Sequence, residues 1–303
     1  MEKLLITGVN GLLGQKVLEQ ASSRYAVLGV DLHPEPILKK IKFEYRKLDL
    51  TDRRKVKETI LAFHPAYLVN TAAMTDVDGC ENEKERCWRI NVEAVEHICY
   101  AAQMTGTRIV HISSDYVFDG KKGPYAEDSL PSPLGYYGKS KLASENVLNA
   151  TDVEHAIVRT MVLYGHGINV RPNFVTWLLE KLRQHQAVKI VTDQIGNPTL
   201  ADDLAAAILK IIQLKQWDLF HICGSEAIDR YRFALKIATI FKLDKNLISA
   251  TTTSELKQAA PRPLRSGFII DKAITQLDIH MSGVDEGLKK MKKEYKQFPF
   301  NLF

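Results

Sequence analysis

Eight residues, Thr7-Gly8-Val9-Asn10-Gly11-Leu12-Leu13-Gly14, constrain the fold of this chain more than any other segment. They join a short apolar run, Lys3–Thr7, to an amphipathic stretch, Gly11–Ser22, so a strand has to turn into a helix almost at once. Gly8 suits the tight turn, Gly11 lets a pyrophosphate approach the backbone, and Gly14 lets the helix lie close against the strand. The helix start offers unpaired N–H groups and a partial positive charge to an anion, and Asn10, Leu12 and Leu13 complete this expected cofactor-binding loop. The spacing is GxxGxxG rather than the older GxGxxG fingerprint. A glycine-rich turn without a ligand is the alternative.

Beyond this turn, short β-branched runs alternate with helical patterns, the order of a parallel sheet covered on both faces. Strands are expected at Lys3–Thr7, Ala26–Asp31, Phe43–Asp49, Tyr67–Ala72, Arg108–Ser113 and His155–Arg159, and helices at Gly11–Ser22, Asp52–Phe63, Lys84–Met104 and Gly135–Asn149. The fold class is therefore α/β, a doubly wound parallel sheet of the Rossmann type with a smaller C-terminal α/β domain for the substrate. Residues 1–165 form the dinucleotide-binding domain, completed by about 201–222, and residues 166–303 form mainly the substrate-binding domain. No flexible linker, low-complexity tract or repeat separates them.

Asp31 ends the second strand, 17 residues after Gly14, where a carboxylate can bind an adenosine ribose and repel a 2′-phosphate. That favours NADH, with NADPH possible; capping of the next segment is the alternative role for Asp31. Asp49 and Leu50 close the third strand beside the expected adenine. With 41 Lys and Arg against 36 Asp and Glu, the formal charge is only +5, which disfavours a dedicated nucleic-acid binder. No apolar run approaches the roughly 18–20 residues of a membrane span, so a cytoplasmic protein without a membrane partner is expected. Cys80, Cys87, Cys99 and Cys223 lack metal-site spacing and read as free thiols, with no metal expected.

The reacting groups follow from the segment Gly135 to Lys141. Tyr137 and Lys141 stand four residues apart, on one helical face. A phenol can protonate the oxygen of a carbonyl receiving hydride, and an adjacent ammonium stabilises the phenolate left behind. Such pairs are also common on plain helix surfaces. Ser113-Ser114 closes the strand Arg108–Ser113, where a hydroxyl can hydrogen-bond and polarise a substrate carbonyl. His111, on the same strand, reads as a packed core histidine.

Taken together, the turn Thr7–Gly14, the run Asn70 to Asp78, the block Ser113 to Gly120 and Tyr137 to Lys141 resemble, in order, the extended short-chain dehydrogenase/reductases. Within them the chain looks most like the dTDP-4-dehydrorhamnose reductase group, to which the regulatory β subunit of methionine adenosyltransferase is related. The resemblance implies Ser114, Tyr137 and Lys141 as the catalytic residues. It places Ala72, Ala73, Thr75 and Asn91 with the cofactor, together with Tyr137 and Lys141. It assigns Val77, Ser114, Asp115, Tyr116, Gln194, Asn197, Thr199 and Arg262 to the nucleotide sugar. A surface ion pair is the alternative for Arg262, as backbone bridging is for Asn91. Where rhamnose-pathway reductases carry serine and tryptophan after the Arg-Thr of the sixth strand, this chain has Met161 and Val162, so an aromatic wall for the sugar is missing.

The expected function is NAD(P)H-dependent reduction of a nucleotide-activated 4-ketosugar, by a monomer or homodimer. A non-catalytic dinucleotide-binding regulator is the second reading. An epimerase or dehydratase is the third, suggested by the carboxylate of Asp115 directly after Ser114.

Overall fold

Strands β1 (Lys3–Thr7), β2 (Ala26–Asp31), β3 (Glu44–Lys47), β4 (Tyr67–Asn70), β5 (Arg108–Ser114), β6 (His155–Thr160) and β7 (Leu219–His221) pair in one sheet of order β7-β6-β5-β4-β1-β2-β3. Every pairing is parallel. The structure is a computed structural model and describes residues 1–297; the last six residues of the expected 166–303 unit lie outside it. All four side chains of β4 and four of the five in β1 are buried, because helices cover both faces of the sheet. The expected third strand shrinks to Glu44–Lys47, a mostly exposed edge strand that pairs with β2.

Helices α1 (Leu12–Ala21), α2 (Arg53–Phe63), α3 (Val77–Asn82), α4 (Lys84–Trp88), α5 (Ala94–Thr105), α6 (Tyr136–Asn149), α7 (Phe174–Arg183), α8 (Ala201–Leu214) and α9 (Arg230–Phe241) carry most of the remaining structure. The continuous helix expected over Lys84–Met104 is interrupted by a π-helical turn, Arg89–Glu93, that carries Asn91. One face of the sheet packs Leu4, Ile6 and Val69 against α1 and α8, and the other packs Leu5, Leu28 and Leu68 against α2 and α5.

A third core joins Val175, Leu178, Phe233, Ile237 and Leu288, beside a parallel strand pair, Val188–Val191 with Ile248–Thr251, that the sequence pattern did not reveal. Val162 packs against both this core and the sheet, with φ at 47°, a conformation strained for a β-branched residue. Lys16 of α1 is buried, 3.1 Å from Asp202 of α8, 3.4 Å from Glu19 and in contact with Glu294 of the C-terminal helix Val284–Gln297. One ammonium thus ties three helices together. All four cysteines are free and buried, and among the described residues no helix is long and apolar enough to cross a membrane.

Candidate active site

The sheet order reverses between β1 and β4, and a crevice opens there at the carboxyl ends of the strands. Gly8 has φ at +63°, which glycine adopts without strain. A Cβ on Gly14 would lie 2.2 Å from the Gly8 carbonyl oxygen and 2.7 Å from Val9 Cα, so α1 can start over the turn only with glycine at that position. Gly11 caps α1 without any side-chain cap, leaving first-turn N–H groups to an outside acceptor.

A cleft of about 520 Å³ adjoins this turn, lined by Gly8, Asn10, Gly11, Asp31, Asp49, Leu50, Ala72 and Ala73, with Arg86, Asn169 and Arg171 on its far wall. The bare turn, the uncapped helix start and the cleft fit a dinucleotide. Asp31 is fixed by accepting from the backbone N–H groups of Asn10 and His33, each at 3.1 Å. The Asn10 side chain organises the following loop instead, donating to Glu35 O and Tyr45 Oη and accepting from Ile37 N. Leu13 packs into the core, and Leu12 and Gly14 support the turn from outside the cleft lining. Thr75 is exposed.

Gly138 explains how Tyr137 comes to lie beside Ser114. A Cβ there would lie 2.1 Å from Tyr116 O, so α6 rests directly on the backbone that follows β5. That contact places Tyr137 against Tyr116, ring centroids 5.4 Å apart and edge to face, and beside Ser114. Burial pushes the Tyr137 phenol well up from its usual pKa, and the Ser114 hydroxyl partly opposes this. Burial also lowers Lys141 to about 8, against the opposing pull of Glu145 and Cys87. Its Nζ lies 3.2 Å from Nε2 of His111, a contact that reading His111 as simple packing did not anticipate. Asp115 is fully buried, accepting from Ser266 Oγ at 2.6 Å and Ser114 Oγ at 3.0 Å, and burial raises its pKa.

Several residues that the resemblance assigns to cofactor or sugar are held by contacts within the protein. Asn91 does not line the cleft: buried in its π-turn, it accepts from Met74 N at 2.8 Å and donates to Met74 O and Ser140 Oγ, so it braces α6. Asn197 is buried, its amide donating to Gly224 O and accepting from Phe268 N. Thr199 is likewise buried, donating to Met161 O at 2.7 Å. Gln194 donates to Thr253 Oγ1. Arg262 pairs with Asp78 at 2.8 Å and also donates to Ala260 O. Val77 and Tyr116 pack around Tyr137.

One residue was missed. Arg230, at the first position of α9, lies over the Phe174 ring at 5.2 Å, near Tyr116, Asp115 and Arg262, and makes no ion pair among the described residues. A cation at the positive end of a helix is electrostatically disfavoured, and that misfit was the available signal.

Fold and site together define an extended short-chain dehydrogenase/reductase. The model of the RmlD substrate binding domain matches residues 1–297, and the chain belongs to that family. It is 32% identical over 306 residues to the dTDP-4-dehydrorhamnose reductase of Aggregatibacter actinomycetemcomitans, covering 96% of this chain and 99% of that protein. It is also 32% identical over 268 residues to the β subunit of methionine adenosyltransferase 2 from Xenopus tropicalis, covering 86% of this chain and 78% of that one. The crystal structure of dTDP-4-dehydrorhamnose reductase from Bacillus anthracis in complex with NADP superposes with a TM-score of 0.88 at 29% identity, over 97% of this chain and 99% of that one.

Proposed function

We propose that the protein is an NAD(P)H-dependent reductase of a nucleotide-activated 4-ketosugar, dTDP-4-dehydrorhamnose or a close analogue, with NADH preferred. The observation that supports this reading best is the pairing of the buried Tyr137 phenol with the buried Ser114 hydroxyl, with buried Lys141 one turn further along α6. A bound NAD(P)H supplies the hydride. Ser114 hydrogen-bonds the ketone oxygen, Tyr137 gives that oxygen its proton, and the Lys141 ammonium stabilises the resulting phenolate. The high pKa of the buried phenol keeps it protonated until the oxygen becomes basic. Asp31 disfavours a 2′-phosphate by like charge, and Arg230 and Arg262 offer planar donors to the substrate diphosphate. The reading places the protein in the cytoplasm as a monomer or homodimer.

The regulatory reading draws support from the similarity to the methionine adenosyltransferase subunit and from the missing aromatic wall at Met161 and Val162. The dehydratase reading is weaker, since Asp115 is buried and bonded to Ser266 rather than free. NADH oxidation against a panel of nucleotide 4-ketosugars, with product identification, tests the proposal. Robust turnover of one sugar is expected; NADH binding without turnover of any would favour the regulator.

A further inference from the structure

Behind Lys141 runs a chain of buried groups whose hydrogen-bond polarity is determined link by link. Thr7 Oγ1 accepts from Ala72 N at 3.4 Å and gives its single proton to Asn70 Oδ1 at 2.6 Å. Asn70 therefore turns Nδ2 toward Nδ1 of His111, 3.0 Å away, and that nitrogen accepts. The ring proton is then on Nε2, which lies 3.0 Å from Ser144 Oγ. Ser144 spends its own proton on Lys141 O at 2.6 Å, so it accepts from the ring. Lys141 Nζ stands 3.2 Å from the same Nε2, which has no lone pair left for it.

We propose that Thr7, Asn70 and His111 are positioning residues for Lys141: the chain holds His111 as the neutral Nε2–H tautomer, denies the ammonium an acceptor inside the core and directs its donors toward Tyr137 and the cleft. An imidazolium is excluded as well, because a proton on Nδ1 would face the N–H groups of Asn70. Burial and the neighbouring Lys141 hold His111 well below its usual pKa, in keeping with a ring that stays neutral. The other ionisable groups acting on Lys141 are Glu145 on its own helix and Cys87 on α4. Glu145 is committed to Arg159 through bonds of 2.6 and 2.9 Å. His155 is the remaining charge felt by His111. The consequence for turnover rests on the reductase function proposed above; the tautomer and the lysine titration stand apart from it.

The test is NMR on the full-length protein: ¹⁵N shifts for the His111 tautomer, and ¹³Cε-lysine titration with the Lys141 signal assigned by its loss in Lys141→Met. Nε2–H is expected for His111, with Lys141 titrating near about 8. In Thr7→Val the Asn70 amide is free to turn its oxygen to Nδ1–H, making Nε2 an acceptor for the ammonium, so Lys141 should titrate roughly one unit higher. Asn70→Asp should raise it further, and Thr7→Val keeps the test open if that variant does not fold. The alkaline limb of the pH dependence of kcat should move by the same amount. A wild-type ring protonated on Nδ1, or an unmoved Lys141 in a folded, NADH-binding Thr7→Val protein, overturns the chain. The expected tautomer and titration without turnover of any ketosugar would leave the chain standing and overturn the reductase alone.

Discussion

The two ends of the cleft are built on different principles. The cofactor end is a backbone structure: Gly8, Gly11 and Gly14 act through what they lack, within a single turn, and Asp31 is held by two main-chain N–H groups. The proposed sugar end is made of side chains drawn from distant places, with Val77 and Tyr116 beside Tyr137, Val162 just after β6, and Arg230 and Arg262 from late in the chain. An end determined by backbone geometry tolerates little change and keeps one ligand class. An end assembled from scattered side chains can be respecified one residue at a time.

Substitutions can break this contrast or sharpen it. The largest effect should fall at the junction of the two ends. Tyr137→Phe should reduce kcat by ~10²–10⁴-fold while NADH affinity, measured calorimetrically, stays nearly constant. Near-normal turnover would remove the phenol from its acid role. At the sugar end, Arg230→Met should raise KM for the nucleotide sugar by roughly 10–100-fold with kcat and NADH binding unchanged, as expected for losing a charge-assisted hydrogen bond. If NADH binding suffered equally, the two ends would not be separable.

At the cofactor end, Gly14→Ala forces a Cβ against the Gly8 carbonyl and should cost about 1–3 kcal/mol in urea unfolding, with weaker NADH binding. An unchanged midpoint would mean that the turn relaxes freely. The smallest effect belongs to Asp31→Asn, which should narrow the NADH-over-NADPH preference by about fivefold, a change on the scale of one partly screened charge. A ratio that does not move would assign cofactor choice to other residues, Arg86 on the far wall first among them.

This division also explains what could be read from the sequence. The doubly wound sheet was legible because β1, β4 and β5 are apolar runs with turn residues between them, and the glycine turn because its logic is local. The nearness of Ser114 to the helix that carries Tyr137 and Lys141 was legible through motif order. The internal partners of Asn197 and Thr199 were not legible because a short polar side chain near a cleft looks the same whether it faces a ligand or caps backbone groups, and only the fold brings Gly224 and Met161 to them. Arg230 was missed for the converse reason: nothing in Ile228-Asp229-Arg230-Tyr231 says that Phe174 will lie beneath it. The strand pair Val188–Val191 and Ile248–Thr251 escaped notice because its halves are about sixty residues apart, each too short to signal alone.

The return of the chain to the sheet has a consequence for birth on the ribosome. Ile157–Arg159 of β6 find their outer neighbours in Leu219–His221, and α1 packs on α8, made after α7. At ~5–20 residues per second, several seconds pass between the emergence of β6 and that of β7. During that interval the nascent first half carries an open strand edge and an uncovered apolar face, the features that invite mispairing with other chains. The sheet that carries the glycine turn is therefore closed late in synthesis although the turn is among the first residues made, and nascent chains released before residue 221 should require a chaperone to stay in solution.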